Sequence, residues 1–233
     1  MIMSDKNTIS SCETCTVKWE NFKYLTKDEL QYVNQHRYEA SFKPGEIMIK
    51  QGSPSSNTLF ISSGMAKIYI EGINGKNFIM SIAKPRRLIM GPGAYVNSRY
   101  TYTVSALTKV QVCFINFDVF HHLVRVNADF AEGLLIDIST KSLKTHNRLI
   151  NLTQKKIPGR MAETLLYLAD EIFESNEFEM ILSRKELGEF SSMAKECVVR
   201  ILKEFEDSGL IYCDSTKLQI LDKNKLTLIS EKG

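Results

Sequence analysis

The chain has 233 residues, of which 43% are hydrophobic and 24% are charged, which is typical of a packed globular protein long enough for two small domains. No segment approaches the roughly 18 uninterrupted apolar residues of a transmembrane helix, and the segment from Met1 to Lys18 lacks the apolar core of a secretory signal. We therefore expect a cytoplasmic protein that does not contact a membrane. Five cysteines, an odd number, argue against a disulfide framework.

The charge is distributed unevenly along the chain. Residues 1–153 contain 18 basic and 12 acidic residues, whereas residues 154–233 contain 12 basic and 15 acidic residues. If the C-terminal part binds a polyanion, the attraction must come from locally placed cations rather than from its overall field.

The N-terminal segment carries a Cys-x-x-Cys pair, Cys12 and Cys15, before a short amphipathic stretch. In that stretch Thr26 and Glu29 have the spacing of a capping box, which predicts that a helix begins there.

Residues 38–115 contain short apolar or alternating runs separated by turn residues, which predicts many short strands. The candidate strands are Ile47–Ile49, Thr58–Ser62, Ala66–Glu71, Phe78–Ile82 and Val110–Ile115. Asn74-Gly75 is the strongest hairpin signal, because a type I′ turn needs positive φ at both central residues. The pattern predicts a sandwich or a barrel-like roll.

Residues 117–153 contain no proline and no strand pattern, which predicts a long helix. Apolar and small residues recur there in the 3-4-3-4 spacing of a two-helix seam: Ala128, Ala131, Leu135, Ile138, Ser142, Thr145, Leu149 and Leu152. This spacing favours dimerisation along the helix, and the alternative is an ordinary helix lying on its own sheet. The small and polar residues in the middle of the seam are suited to face a ligand.

The segment from Gln154 to Pro158 is a predicted hinge, with Pro158 suited to the first turn of the next helix. Met180–Leu182 is a predicted strand. Ser183 and Glu186 then have capping-box spacing, which predicts a helix from Arg184 to about residue 190.

A second helix is predicted from about Ala194 to Ser208, ending at Gly209. Two short apolar runs, Leu210–Cys213 and Leu218–Leu221, follow it and predict a β-hairpin. Two short helices followed by a hairpin indicate a winged helix-turn-helix.

The second of these helices carries the candidate base-reading residues. Arg200 can donate two hydrogen bonds to a guanine edge, and Glu196 can accept one from a cytosine amino group. The predicted DNA-binding residues are Ser183, Arg184, Lys185, Lys195, Glu196, Val199, Arg200 and Lys203, with the first three suited to hold a phosphate.

The region between Leu182 and Ile211 resembles the helix-turn-helix of the Crp/Fnr family of bacterial transcription regulators. The matching stretches are Leu182–Gly188, Lys195–Lys203 and Leu210-Ile211, and the family's base-reading Glu and Arg match Glu196 and Arg200. Upstream, Gly45, Gly52 and Gly64 resemble the turn glycines of the family's β-roll, and Val126–Asp129 resembles the start of its dimer helix. The sequence departs from the motif at Ser192, which replaces a turn glycine, and at Ala194, which replaces a capping hydroxyl.

The resemblance implies an α+β protein with an N-terminal antiparallel β-roll, of the double-stranded β-helix or jelly-roll-like kind, a long dimerisation helix and a C-terminal winged helix-turn-helix. The expected parts are an effector-sensing domain in residues 1–116, a dimerisation region in residues 117–153 and a DNA-binding domain in residues 154–233. It implies a homodimer that binds palindromic double-stranded DNA and acts on RNA polymerase.

The sequence contains no nucleophile elbow, P-loop or His-Glu-x-x-His motif, so we do not expect an enzyme. The alternative function is a cyclic-nucleotide-like ligand-binding module that regulates other proteins by direct contact.

The effector is open at the level of sequence. Family members that bind cyclic AMP carry a Gly-Glu pair and an Arg-Ser pair, whereas this chain has Gly91-Pro92-Gly93-Ala94 and Tyr100-Thr101, with Arg99 displaced by one residue. The departure disfavours cyclic AMP, although Thr145 falls where the family's dimer helix offers a hydroxyl to the nucleotide. The candidate effector residues are Gly91, Arg99, Tyr100, Thr101, Ser142 and Thr145.

Two cofactors are the other candidates. Cys12, Cys15 and Cys113 resemble three of the four cysteines that hold an iron–sulfur cluster in the Fnr branch, and the fourth would fall near Asn21. Haem is a further candidate, with the histidines His36, His121, His122 and His146. An unknown small molecule or no effector also remains open, as do the operator, the target genes and the sign of regulation.

Overall fold

The computed structural model describes residues 11–214 and 216–233, which form two compact units: residues 11–66 with 83–137, and residues 67–82 with 138–233. The helices are α1 (Lys27–Gln35), α2 (Gly93–Val96), α3 (Phe117–Val126), α4 (Ala128–Gln154), α5 (Ile157–Tyr167), α6 (Arg184–Ser191), α7 (Lys195–Asp207) and α8 (Lys223–Lys232). The strands are β1 (Arg37–Phe42), β2 (Ile47–Ile49), β3 (Asn57–Ser63), β4 (Ala66–Glu71), β5 (Asn77–Ala83), β6 (Leu88–Ile89), β7 (Thr103–Ala106), β8 (Val110–Asn116), β9 (Glu177–Glu179), β10 (Ile211–Cys213) and β11 (Lys217–Ile220).

Two four-stranded sheets form the predicted β-roll, with the strand orders β1-β8-β3-β6 and β2-β7-β4-β5. Their described pairs β1–β8, β3–β8, β3–β6 and β2–β7 are antiparallel. In β8, Val110 and Val112 are buried while Gln111 between them is exposed, because successive side chains of a strand point to opposite faces. The predicted α+β class with an N-terminal roll is confirmed.

The hairpin that joins β4 to β5 turns at Asn74-Gly75, as predicted. Asn74 and Gly75 have φ of 60° and 70°, and the backbone N–H of Lys76 donates to the carbonyl of Ile73 at 3.3 Å, which closes a type I′ turn. Between β3 and β4, Gly64 has φ of 79°, and a Cβ at this position would lie 2.1 Å from the carbonyl oxygen of Lys109. Only glycine fits there.

The first unit is closed by an aromatic cluster between its N-terminal segment and helices α3 and α4. The ring of Trp19 lies 6.1 Å from that of Phe120 and 5.9 Å from that of Phe130, and all three side chains are buried. Helix α1 begins with the predicted capping box, in which Thr26 and Glu29 each accept a hydrogen bond from the other's backbone N–H.

The predicted helix over residues 117–153 is interrupted at Asn127, where the backbone is extended and separates α3 from α4. The side-chain oxygen of Asn127 accepts from the backbone N–H of Phe130 at 2.9 Å and so caps α4, while its amide donates to the carbonyl of Tyr24 at 3.0 Å. The remaining 27 residues form one continuous helix.

In the second unit, Pro158 lies in the first turn of α5, as predicted, and a π-helical stretch at Leu168–Phe173 continues that helix. The predicted strand at Met180–Leu182 is wrong: β9 ends at residue 179 and pairs with β11, in a sheet of order β10-β11-β9. Phe178 is the buried residue of β9 and lies opposite Leu218, so the pairing buries one apolar residue rather than an apolar run. No helix in the described ranges is long and apolar enough to cross a membrane.

Candidate nucleic-acid interface

Helix α6 begins with the predicted capping box. The Ser183 hydroxyl oxygen accepts from the backbone N–H of Glu186 at 3.2 Å, and Glu186 Oε2 accepts from the backbone N–H of Ser183 at 2.8 Å. Burial opposes ionisation of Glu186, but hydrogen bonds from Lys67 and from Ser183 outweigh it, and the pKa of this carboxyl lies below its ordinary value. The start of α6 is therefore fixed by Ser183 and Glu186, which bond each other, and by Lys67, which bonds Glu186.

The three candidate phosphate-binding residues at this helix start differ in how they are engaged. The Ser183 hydroxyl is used by the cap, and the Arg184 guanidinium donates to Cys213 Sγ at 3.1 Å and to the carbonyl of Asp214 at 3.2 Å. Arg184 therefore ties α6 to the hairpin formed by β10 and β11. Lys185 projects into solvent, with its nearest carboxylate, on Glu189, 3.8 Å away.

The turn between α6 and α7 is left-handed at Ser192, with φ of 53° and ψ of 53°. This is the position at which the motif commonly carries glycine, so the departure noted in the sequence places a side chain in a strained conformation. Gly188 is needed for close packing, because a Cβ there would lie 2.6 Å from the carbonyl oxygen of Met193. The sequence pattern gave no reason for this glycine beyond its place in the family motif.

Helix α7 is amphipathic, as predicted. Val198, Ile201, Leu202 and Phe205 are buried. The outer face of α7, as we call it below, consists of Lys195, Glu196, Val199, Arg200 and Lys203, all of which are exposed. The Arg200 guanidinium is held 2.7 Å from Glu204 and its side chain is 58% exposed, so it is free to exchange this partner for another.

Cations cluster beside this face although the C-terminal part of the chain is acidic overall. A groove of about 440 Å³ separates the start of α5 from α7, and it is lined by Lys156, Arg160 and Arg200 among other residues. Local cations therefore lie together next to the outer face, and Glu204, the partner of Arg200, lines the same groove.

The strands β10 and β11 form the predicted wing hairpin. Asp214 Oδ1 accepts backbone hydrogen bonds from Thr216 and Lys217, each at 2.7 Å, and these bonds lower the pKa of the Asp214 carboxyl. Helix α8, which follows the wing, was not predicted.

The comparisons with known proteins agree with this arrangement. The cyclic nucleotide-binding domain family matches residues 39–127, and the Crp-like helix-turn-helix domain family matches residues 159–229. The chain belongs to the Crp/Fnr family of transcription regulators.

Similar members of the Crp/Fnr family come from several bacteria. The cAMP-activated global transcriptional regulator CRP of Escherichia coli O157:H7 is 27% identical over 193 residues, which are 81% of this chain and 92% of CRP. The transcriptional activator protein FnrA of Stutzerimonas stutzeri is 26% identical over 184 residues, or 77% of this chain and 75% of FnrA. The structure of FixK2 from Bradyrhizobium japonicum has a TM-score of 0.75 with 15% identity, covering 83% of this chain and 96% of FixK2, and shows the shared fold.

In this Crp/Fnr protein the candidate effector residues of the roll lie on both sides of the backbone. Arg99 is exposed and its guanidinium donates to the carbonyl of Gly52 at 2.7 Å, whereas Tyr100 is buried and its hydroxyl donates to the carbonyl of Asn57 at 2.5 Å. Thr101 is exposed and Gly91 is buried. A Cβ added at Gly91 would lie 3.4 Å from the ring of Tyr100. The cation is therefore directed outward and the aromatic residue inward.

Ser142 and Thr145, the remaining effector candidates, belong to the second unit and are exposed on α4. The Thr145 hydroxyl donates to the carbonyl of Lys141 at 2.9 Å.

Two of the three candidate iron–sulfur cysteines, Cys12 and Cys113, lie beside the guanidinium of Arg37. Arg37 Nη1 lies 3.4 Å from Cys113 Sγ and also bonds Glu39, while Cys12 is buried close enough for Arg37 to influence its pKa. Burial raises the pKa of both thiols, that of Cys113 to about 11, and the opposing effect of Arg37 does not cancel this.

Within residues 11–214 and 216–233, no group of three or more His, Cys, Asp or Glu side chains is arranged to hold a metal ion. A four-thiolate cluster would have to displace the thiol protons of Cys12 and Cys113, since metal binding to cysteine releases them. The iron–sulfur ligands Cys12, Cys15 and Cys113 stay a prediction, and no step of the proposed function is routed through them. Of the candidate haem ligands, His36 bonds the carbonyl of Tyr32 at 2.8 Å.

Proposed function

We propose that this protein is a homodimeric, sequence-specific DNA-binding regulator in which α7 of each copy enters the major groove of a palindromic operator. The observation that carries the proposal is the exposed outer face of α7, supported from below by the buried face of the same helix. Arg200 would contact a guanine edge and Glu196 a cytosine amino group, while Val199 would offer an apolar contact.

The residues that flank this face are suited to the DNA backbone. Lys185, Lys195 and Lys203 are exposed, and Lys185 lies in the first turn of α6 beside Ser183 and Arg184. Such contacts fix the register of a protein on the duplex without selecting sequence. Arg184 would act through the wing that it holds.

The proposed dimer pairs α4 with its copy along the predicted seam. Leu135, Ile138 and Leu149 of the seam are exposed in the single chain, and so are the apolar residues Ile136, Leu143 and Ile150 beside them. A helix whose apolar stripe faces solvent needs a partner to cover it, and a second copy offers the same stripe. Two paired recognition helices would then meet major grooves about 34 Å apart.

Effector binding in the roll would change how the paired helices pack near Ser142 and Thr145, and the hinge at residues 154–158 would redirect the recognition helices. The effector site at Gly91, Arg99, Tyr100 and Thr101 remains a prediction, and the proposal names no effector. Bound beside a promoter in the bacterial cytoplasm, the dimer would recruit or block RNA polymerase.

The test compares two variants on a duplex that the wild-type protein selects from a random-sequence library. Arg200→Ala should weaken binding by about 1–3 kcal/mol and relax the preference at one base pair of each half-site. Lys195→Ala is the matched control: it should weaken all duplexes alike and reduce the slope of log K against log salt by about 1. If Arg200→Ala leaves affinity and preference unchanged, the docking is wrong; if the wild type selects no duplex, regulation by protein contact takes its place.

A further inference from the structure

The β4–β5 hairpin is bonded to the first helix of the helix-turn-helix within the second unit. Lys67 Nζ on β4 lies 2.6 Å from Glu186 Oε1 on α6, and the two side chains are only 17% and 21% exposed. The other oxygen of Glu186 belongs to the capping box of α6. One carboxylate therefore joins the start of α6 to a strand more than 100 residues earlier in the chain.

A second link is made by Arg148, which comes from α4. Its Nη2 donates to the carbonyl of Ile79 on β5 at 2.8 Å and to that of Phe190, in the last turn of α6, at 2.5 Å. Its guanidinium also stacks 3.8 Å from the centroid of the Phe190 ring. Arg148 therefore holds three elements, α4, β5 and α6, at a single point.

The surroundings of the Arg148 guanidinium are unusual for a cation. In the described part of the chain Arg148 has no carboxylate partner, and burial lowers its pKa to about 10. Two carbonyls, two aromatic rings and the negative end of the α6 dipole replace the missing anion. Carbonyls satisfy a guanidinium only from fixed directions, so the contact specifies orientation rather than simple proximity.

Tyr167 extends the contact from α5. Its ring stacks on that of Phe190 with a centroid distance of 5.2 Å, and its hydroxyl accepts from the backbone N–H of Ile82 at 3.4 Å. The outer face of α7 is exposed while these contacts are made.

We propose that Lys67, Arg148, Glu186 and Phe190 form a hairpin clasp, and that Lys67 and Arg148 are positioning residues for DNA binding. The clasp fixes the direction of α6, and with it α7, relative to α4. This inference rests on the proposed function. It assigns to Lys67 and Arg148 the orientation of the recognition helix, which the outer face of α7 does not itself determine.

The clasp should strengthen binding to DNA that contains two half-sites and leave binding to a single half-site nearly unchanged. After the first recognition helix has bound, the second binds at an effective concentration that depends on how tightly its direction is held. A helix-turn-helix freed from the clasp would still recognise one half-site, because its outer face is unchanged. It would find the second half-site less often.

The experiment measures binding to two duplexes: the palindrome selected by the wild type, and the same duplex with one half scrambled. Arg148→Met keeps the length of the side chain and removes its donors, and should weaken palindrome binding about tenfold or more with less than about a twofold change on the half-site duplex. Lys144→Met, an exposed cation of the same helix, is the control and should change neither. Equal losses on both duplexes would show that Arg148 only supports the fold, and no loss would also overturn the clasp.

A second pair of variants covers the case in which Arg148→Met fails to fold. Lys67→Met and Glu186→Gln should each weaken palindrome binding, and the double variant should be no worse than either, since glutamine preserves the cap but not the ion pair. Additive losses would contradict the proposed contact.

Hydrogen exchange of the free protein separates the clasp from the proposed function. Amides of α6 should exchange faster in Lys67→Met than in the wild type. If the wild type selects no duplex, the DNA proposal fails while faster exchange still supports the clasp; unchanged exchange overturns the clasp whatever the DNA result.

Discussion

At the scale of single residues, Glu186 has two tasks that respond to pH. Its carboxylate caps α6 and pairs with Lys67, and its pKa lies below the ordinary value because these hydrogen bonds outweigh the effect of burial. A carboxyl whose folded-state pKa is depressed contributes stability that is fully present above its unfolded pKa, about 4.3, and is lost as the pH falls through the folded value.

We therefore expect Glu186→Gln to lower the free energy of unfolding at pH 7 by about 1 kcal/mol, and the difference to shrink below about pH 4. Urea denaturation at a series of pH values measures this. Glu189→Gln is the matched control: burial raises the pKa of Glu189, so its ionised form is disfavoured in the fold and the variant should be as stable as the wild type, or more stable, at pH 7. A deficit for Glu186→Gln that persists at low pH would contradict the role given to its charge.

The residues of the outer face could be predicted because helical periodicity places them locally. Val198 and Arg200 are two residues apart, and their opposite exposure follows from the period of the helix alone. The clasp could not be predicted, since Lys67 and Glu186 are 119 residues apart and no local pattern joins them. No sequence pattern singled out Arg148.

At the scale of elements, the turn between α6 and α7 contains a correctable strain. Ser192 adopts a left-handed conformation, which costs a residue with a Cβ about 1–2 kcal/mol relative to glycine before the greater chain entropy of glycine is counted. Ser192→Gly should therefore raise the free energy of unfolding by up to about 1 kcal/mol. Denaturant titration measures it.

Ser208 provides the comparison for this prediction. It follows α7 as Ser192 follows α6, but its φ is −87°, a conformation open to any residue. Ser208→Gly should leave stability unchanged or lower it, since the Ser208 hydroxyl also donates to the carbonyl of Glu204. Equal stabilisation by both glycines would mean that backbone strain at Ser192 is not the cause.

Most elements with local signals were predicted correctly, although α8, which the Asp222 side chain caps locally, was missed. Elements formed by distant partners were not predicted. Both capping boxes and the Asn74-Gly75 turn are confirmed, because each depends on residues within four positions of one another. The break at Asn127 combines a local cap on the backbone N–H of Phe130 with a bond to Tyr24, about 100 residues earlier, and the helical pattern of residues 117–153 showed neither. Strand β9 was misplaced because its pairing with β11, rather than its own apolar content, determines it.

At the scale of the whole molecule, the order of roll, long helix and winged helix-turn-helix could be predicted, whereas the effector could not. The effector candidates depend on where side chains point, and Arg99 and Tyr100, although adjacent, point to opposite sides. The cysteines show the same dependence, because the sequence places them near a family pattern but does not reveal the guanidinium of Arg37 among them.

At this scale the proposed dimerisation along α4 gives a prediction that a single substitution can test. Leu149 lies in the predicted seam and is 60% exposed in the single chain. In a two-fold dimer a glutamate at this position would face its own copy or apolar neighbours, and would have to be desolvated without a partner. Leu149→Glu should therefore convert the dimer to a monomer in sedimentation equilibrium at micromolar concentration.

The same substitution should weaken binding to the selected palindrome by about 10²–10⁴-fold, because a monomer loses the second recognition helix. Ile73→Glu is the control: Ile73 is 86% exposed at the tip of the β4–β5 hairpin, outside the seam, and the charge there should leave mass and affinity unchanged. If Leu149→Glu stays dimeric, the copies meet elsewhere and the apolar stripe of α4 has another partner. If it becomes monomeric but keeps its full affinity, the recognition helices do not act as a pair, and the palindromic operator must be abandoned.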